Sequence, residues 1–179
     1  MLAYDLFQSK EAIEMGVKYV DTVEELLPKC QIVTLHCPLM DDTYHLMNDE
    51  KFNLMKRGSM LVNTSRGGLV DTAALGRALD TQKIACVGMD VYEHEAGLFF
   101  EDKSEETDAT PGSSLSPDWD LGLSALASRP NVLVTSHQAF LTAEALGNIA
   151  STTVDNLMEF AGGGGGGEGG KYVNEVVGH

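Results

Sequence analysis

Short apolar segments alternate with segments of helical pattern along most of this chain, and no other feature limits the fold as strongly. The apolar segments predict strands at residues 1–4, 17–20, 32–36, 59–64, 84–91 and 131–135. The polar residues that predict helix starts are Ser9, Thr22, Asn48, Asp71 and, for the longest helix (through about Phe160), Thr142. Strands alternating with helices form βαβ units, so the sequence predicts an α/β fold with a mainly parallel sheet.

Charge and cysteine content exclude several classes of partner. The 179 residues contain 12 Lys+Arg and 27 Asp+Glu, a formal charge of −15, which argues against nucleic-acid or anionic-membrane binding. No apolar run approaches the roughly 20 residues of a membrane-spanning helix. Cys30, Cys37 and Cys86 lie in or beside apolar runs without metal-ligand spacing. We therefore expect buried, reduced thiols, no metal site and a cytoplasmic protein.

Other stretches carry weaker expectations. Segment 32–36 is apolar without clean alternation, which predicts that both faces of its strand are covered. Residues 93–120 are acidic and rich in Ser, Pro, Gly and Thr, and predict a long surface loop. Three histidines are expected on the surface or in the tail: His45, His94 and His179.

In parallel sheets, chemistry is carried out at the carboxyl ends of the strands, so the residues that follow each strand are informative. Asp5 ends the first predicted strand, where a carboxylate can bind a ribose diol and repel a 2′-phosphate, favouring NAD over NADP. Arg66 lies in a glycine-containing turn after another strand and can bind a carboxylate through two parallel hydrogen bonds. For Asp5 the alternative is an ordinary aspartate at a strand end. For Arg66 it is an ion pair with a surface carboxylate.

Acidic residues and a histidine follow two further strands. Asp90 lies at the end of the strand predicted at 84–91, Glu93 and Glu95 follow that strand, and His137 comes after the strand at 131–135. A carboxylate there could orient the imidazole, which could then act as a proton donor. Taken singly, the acidic residues could belong to a solvated surface loop, and the histidine could be a packed or capping residue. Together with Arg66 they suit reduction of a 2-oxo acid by hydride.

Three segments, in order, resemble the D-isomer-specific 2-hydroxyacid dehydrogenases. They are LVNTSRGGLVDTAALGRAL, VGMDVYEHE and NVLVTSHQAFLTAEAL. The resemblance covers about residues 1–160, and HCPLMDDTYHLMN, GLFFED and HQAFLT are similar to the D-lactate branch of that family.

The resemblance implies a Rossmann-like parallel sheet, NAD as cofactor and a role for each matching residue. It implies that Arg66 binds the substrate carboxylate, His137 acts as general acid and Glu95 keeps His137 protonated. Asp5 matches the ligand of the adenosine ribose. Further matching positions line the NAD site: Cys37, Pro38, Thr43, Thr64, Ser65 and Asp90.

The resemblance also implies a division of the chain. Residues 1–140 match the C-terminal part of the NAD-binding domain, 141–161 a helix returning to the substrate domain, and 162–179 a Gly-rich linker and tail. The first Rossmann strand and its glycine loop are absent, so we expect an N-terminally truncated chain that is inactive alone and pairs its open sheet edges with another chain.

Three functions follow from the resemblance. The first is an NAD-dependent D-lactate dehydrogenase that reduces pyruvate and is a homodimer when full length. The second is an NAD-sensing protein like the family's transcriptional corepressors, and the third an inactive truncated member. The presence of Arg66, Glu95 and His137 together argues against the second, because a sensor needs no acid and no residue to orient it.

Overall fold

The computed structural model of the protein describes residues 1–95, 98 and 120–161. It divides into two compact units, Met1–His137 and Gln138–His179. The strands of the first unit are β1 (Leu2–Ala3), β2 (Lys18–Tyr19), β3 (Ile32–Leu35), β4 (Ser59–Asn63), β5 (Ile84–Met89) and β6 (Val132–Val134). Its helices are α1 (Lys10–Glu14), α2 (Val23–Leu26), α3 (Asp49–Leu54), α4 (Thr72–Asp80) and α5 (Leu121–Ala127).

The predicted helix starts of this unit are confirmed by capping hydrogen bonds. Each of four side chains accepts a bond from the backbone N–H three residues later: Ser9, Thr22, Asn48 and Asp71. Helix α5 was not predicted. It begins after Asp120, whose Oδ1 accepts a bond of 3.0 Å from the backbone N–H of Leu123. The predicted surface loop lies mostly outside the described residues, and the glycine-rich linker lies wholly outside them.

The strands form two parallel sheets, which confirms the predicted fold class. β1 pairs with β2, and the other four form a sheet in the order β3-β4-β5-β6. Because all pairs are parallel, the carboxyl ends of each sheet's strands lie at one edge. Within the described part of the chain, β3 pairs with β4 and has no strand on its other side.

The two faces of the four-stranded sheet differ in burial. On one face, Val33 and Leu35 are buried and belong to a core with side chains of α3, α4 and α5. On the opposite face Ile32 is 62% exposed and Leu133 is 67% exposed. Pairing in register places Thr34, Val62, Gly88 and Leu133 in one row across this second face.

Two sequence-based expectations are therefore wrong. β3 is not covered on both faces, because an apolar strand does not itself show which of its faces has a packing layer. The three cysteines are free thiols, but they are half-buried rather than buried. Cys86, for example, pairs in register with Met60 on the exposed face. None of the described helices combines the length and apolar character needed to cross a membrane.

The second unit contains α6 (Ala143–Ala161), whose predicted start is confirmed by a 3.1 Å bond from the backbone N–H of Ala145 to Thr142 Oγ1. No residue of α6 is buried. Several of its exposed side chains are large and apolar: Leu146, Ile149, Val154, Leu157, Met158 and Phe160.

Candidate active site

The turn that carries Arg66 is shaped by Asn63, the last residue of β4. Asn63 is 3% exposed, and its amide donates a 2.9 Å bond to the carbonyl of Arg66. Its Oδ1 accepts a 3.1 Å bond from the backbone N–H of Ser65. Arg66 itself is exposed, so its guanidinium can be reached from solvent. The sequence reasoning missed Asn63, although a polar residue at the end of an apolar strand was a usable signal.

Gly67 allows the arginine turn to lie directly against the segment that carries Glu95. A Cβ atom at Gly67 would lie 2.0 Å from the carbonyl carbon of Tyr92 and 2.4 Å from the backbone nitrogen of Glu93. No side chain fits at such distances, since the obstructing atoms are backbone. This close approach brings the predicted carboxylate-binding residue and the predicted acid–base pair to one sheet edge.

Glu95 and His137 form a direct pair. Glu95 Oε1 lies 2.8 Å from His137 Nδ1, and Glu95 Oε2 accepts a 2.8 Å bond from the backbone N–H of Tyr92. The side chains of His137 and Glu95 are 27% and 16% exposed. The carboxylate therefore orients an imidazole that a small molecule can still reach.

The backbone of His137 is held by Asp90. The His137 N–H donates a 2.7 Å bond to the Asp90 carbonyl, and His137 has a φ of +55°. Asp90 is 5% exposed, and the hydroxyl of Thr135 donates to its carboxylate. The Asp90 N–H in turn donates to the Asn63 carbonyl over 2.9 Å. Thr135, which the sequence reasoning did not select, thus connects the ends of β5 and β6.

The predicted cofactor-binding residues after β3 are joined to the arginine turn. Ser65 Oγ donates a 2.7 Å bond to the Cys37 carbonyl, and Thr43 Oγ1 donates a 2.8 Å bond to the Pro38 carbonyl. Thr64 lies exposed directly after β4. These bonds fix the shape of the loop beside the strand ends.

Asp5 follows β1 of the two-stranded sheet. Burial raises the pKa of the Cys37 thiol, and the negative charges of Asp5 and Asp42 raise it further, so Asp5 lies within electrostatic reach of Cys37. Asp5 is exposed, and its Oδ1 accepts a 2.8 Å bond from the backbone N–H of Phe7. An exposed strand-end carboxylate beside the loop after β3 fits the ribose end of a dinucleotide.

A second histidine–glutamate pair lies beside the first. His45 Nε2 is 2.5 Å from Glu93 Oε1. The His45 side chain is 31% exposed and that of Glu93 is 9% exposed. His45 was expected on the surface; its ring is half-buried instead, because a carboxylate 48 residues further along the chain holds it.

Comparison with known proteins identifies the family. Residues 1–139 match the family described as D-isomer specific 2-hydroxyacid dehydrogenase, NAD binding domain. D-lactate dehydrogenase of Escherichia coli is 48% identical over 163 residues, which cover 91% of this chain and 46% of that protein.

Solved structures similar to this chain point to the same family. That of the pyruvate reductase of Chlamydomonas reinhardtii has a TM-score of 0.79 and 45% identity, covering 89% of this chain and 46% of that one. D-lactate dehydrogenase of Lactobacillus jensenii, solved with NAD+, has a TM-score of 0.80 and 30% identity, covering 99% of this chain and 48% of that one. The chain spans about half the length of these relatives. It belongs to the D-isomer-specific 2-hydroxyacid dehydrogenase family and carries that family's Rossmann-like NAD-binding domain.

Proposed function

We propose that this chain is the cofactor-binding part of an NAD-dependent dehydrogenase that interconverts pyruvate and D-lactate. The observation that carries the proposal is the Glu95–His137 pair at 2.8 Å, lying beside the arginine turn that Gly67 allows to approach. Names of the relatives support the substrate, since they include D-lactate dehydrogenases and a pyruvate reductase.

Each residue has a separate part in the proposed reaction. Arg66 binds the carboxylate of pyruvate through its planar guanidinium and orients the C2 carbonyl. His137 donates its proton to the carbonyl oxygen as that oxygen becomes the hydroxyl of lactate. Glu95 contacts the ring and orients it for that transfer.

NADH, when bound, would supply the hydride that C2 of the substrate accepts. On this chain, Asp5 binds the adenosine ribose and selects against a 2′-phosphate. Further residues line the rest of the site: Cys37, Pro38, Thr43, Thr64, Ser65 and Asp90. We assign residues 1–140 to the NAD-binding domain, 141–161 to a helix of the substrate domain and 162–179 to a linker and tail, in a protein that acts as a homodimer.

A chimera tests the proposal. This chain replaces the segment that it matches in the E. coli D-lactate dehydrogenase, and NADH oxidation with pyruvate is followed by absorbance. We expect turnover in the parent chimera and a loss of roughly 10²-fold in kcat/KM for Arg66→Lys, since an ammonium cannot reproduce the paired hydrogen bonds.

Arg57→Lys is the matched control, because Arg57 is exposed at a turn after α3 and should tolerate the change. A folded chimera that binds NADH without reducing pyruvate would refute the proposal and favour the sensor function. Equal activity of the two lysine variants would remove Arg66 from substrate binding.

A further inference from the structure

The Glu93 carboxylate accepts hydrogen bonds from three residues in two separate parts of the chain. Its Oε1 accepts from Tyr44 Oη at 3.1 Å and from His45 Nε2 at 2.5 Å. Its Oε2 accepts from the Thr72 hydroxyl at 2.9 Å and from the Thr72 backbone N–H at 3.3 Å. The side chain is 9% exposed, so these bonds replace water around a buried charge.

The donors belong to segments that carry other parts of the site. Thr72 is the first residue of α4, which follows the arginine turn. His45 lies two residues after Thr43, and its backbone N–H donates a 2.8 Å bond to the carbonyl of Gly68 in that same turn. The His45 ring stacks on Tyr44 with centroids 3.9 Å apart, which fixes the plane of the imidazole.

Glu93 also lies inside the short turn that presents Glu95. The Glu95 N–H donates a 3.2 Å bond to the Tyr92 carbonyl, and Glu95 Oε2 accepts from the Tyr92 N–H at 2.8 Å. Residues 92–95 therefore form one hydrogen-bonded turn. The Glu93 side chain attaches one side of this turn to α4 and to the loop after β3, while Glu95 contacts His137 on the other side.

We propose that Glu93 is a positioning residue for the acid–base pair: by binding His45 and Thr72 it fixes the 92–95 turn, and so holds the Glu95 carboxylate against His137. The inference rests on the proposed function for its kinetic consequence. The structural part of the inference is that the Glu95–His137 contact depends on Glu93, and it can be tested without measuring turnover.

The kinetic test uses the chimera described above. Glu93→Gln keeps the size of the side chain but replaces one acceptor oxygen with an NH₂ donor, so that end of the side chain no longer accepts the hydrogen bonds that Glu93 accepts there. We expect kcat to fall roughly 10- to 100-fold, since small misplacements of catalytic groups have effects of this size. We also expect the pH dependence of kcat to differ from that of the parent, because a displaced Glu95 no longer contacts the His137 ring.

Two further variants separate positioning from general loss of structure. His45→Gln retains an N–H donor and should recover much of the activity lost in His45→Ala. Glu25→Gln removes an exposed glutamate that pairs with Lys29, and should leave both rate and pH profile unchanged. A lower yield of active protein with an unchanged pH profile would show a merely structural role and overturn the proposal.

A second measurement uses the chain itself. Ring ¹⁵N resonances of His137 are recorded by NMR in the 179-residue chain and in its Glu93→Gln and Glu25→Gln variants. Glu93→Gln should shift the His137 ring signals, and Glu25→Gln should not. Unmoved His137 signals would overturn the inference even if the chimera is active, whereas an inactive parent chimera with shifted signals would count against the proposed function alone.

Discussion

The two glutamates of the 92–95 turn each contact a histidine, yet their surroundings differ. The Glu95 side chain is 16% exposed and contacts His137 at the sheet edge. The Glu93 side chain is 9% exposed and accepts hydrogen bonds from Tyr44, His45 and Thr72. Both histidines have positive φ values, +51° for His45 and +55° for His137. Residues other than glycine keep such a conformation where neighbouring contacts impose it. The difference separates a pair suited to proton transfer from a pair suited to holding the turn.

The largest effect should come from removing the imidazole of the exposed pair. In the chimera, His137→Ala should reduce pyruvate reduction by about 10²–10⁴-fold, the range typical of general acid catalysis, with little change in NADH binding. His45→Ala should cost less, because His45 acts only through Glu93. Steady-state kinetics and NADH fluorescence measure both. A greater loss for His45→Ala than for His137→Ala would reverse the assignment of the two pairs.

A second prediction concerns Gly67, against which the backbone of the 92–95 turn packs. Gly67→Ala should lower the free energy of unfolding by about 1–3 kcal/mol, because the added methyl group would overlap the Tyr92 carbonyl. Gly76→Ala is the matched control. Gly76 lies within α4 with nothing within 4 Å of its Cβ position, and alanine there should stabilise the helix by roughly 0.5–1 kcal/mol. Urea unfolding distinguishes them, and equal effects would mean that the turn does not pack on Gly67.

The smallest expected effect is a change in stability at acidic pH, which follows from the pKa of Glu93. Burial raises the pKa of Glu93, but hydrogen bonds from His45 and Thr72 lower it more, and the resulting pKa lies below its ordinary value of 4.5. A lowered pKa means that the ionised carboxylate stabilises the fold fully above pH 4.5, and that this contribution is lost as the pH falls through the lower, folded-state value.

Glu93→Gln should therefore be less stable than the parent by about 1 kcal/mol at neutral pH, and the difference should shrink in acid. Urea unfolding across this pH range measures it, with Glu25→Gln as a control that stays close to the parent because its ion pair is exposed. A constant gap between Glu93→Gln and the parent would show that the charge of Glu93 does not matter.

The sequence predicted which residues lie at the ends of the strands but not the contacts between those residues. Apolar segments and polar caps predicted the parallel sheet and most helices, and the residues after strands pointed to Arg66, Glu95 and His137, whose roles remain predictions. His45 was missed because its partner Glu93 is 48 residues away and no local pattern joins them. Gly67 was recognised as a turn residue, but only the structure shows which backbone passes over it.

Burial was harder to predict than secondary structure. The segment at 32–36 is apolar at positions that face both ways, so its composition did not reveal that Ile32 is exposed while Val33 is buried. Helix α5 was overlooked because the acidic, Pro-containing stretch before Asp120 obscured a cap followed by a short apolar run. In both cases the missing information is what lies next to the segment in space.

The separate pairing of β1 with β2 has a dynamic consequence. Each of these strands has two residues, and an isolated two-stranded sheet is marginally stable at best. Asp5 follows β1, whereas Arg66, Glu95 and His137 follow strands of the four-stranded sheet, which carries the core. Local opening should therefore begin near Asp5, which we propose binds the ribose, with faster amide exchange there than in the four-stranded sheet.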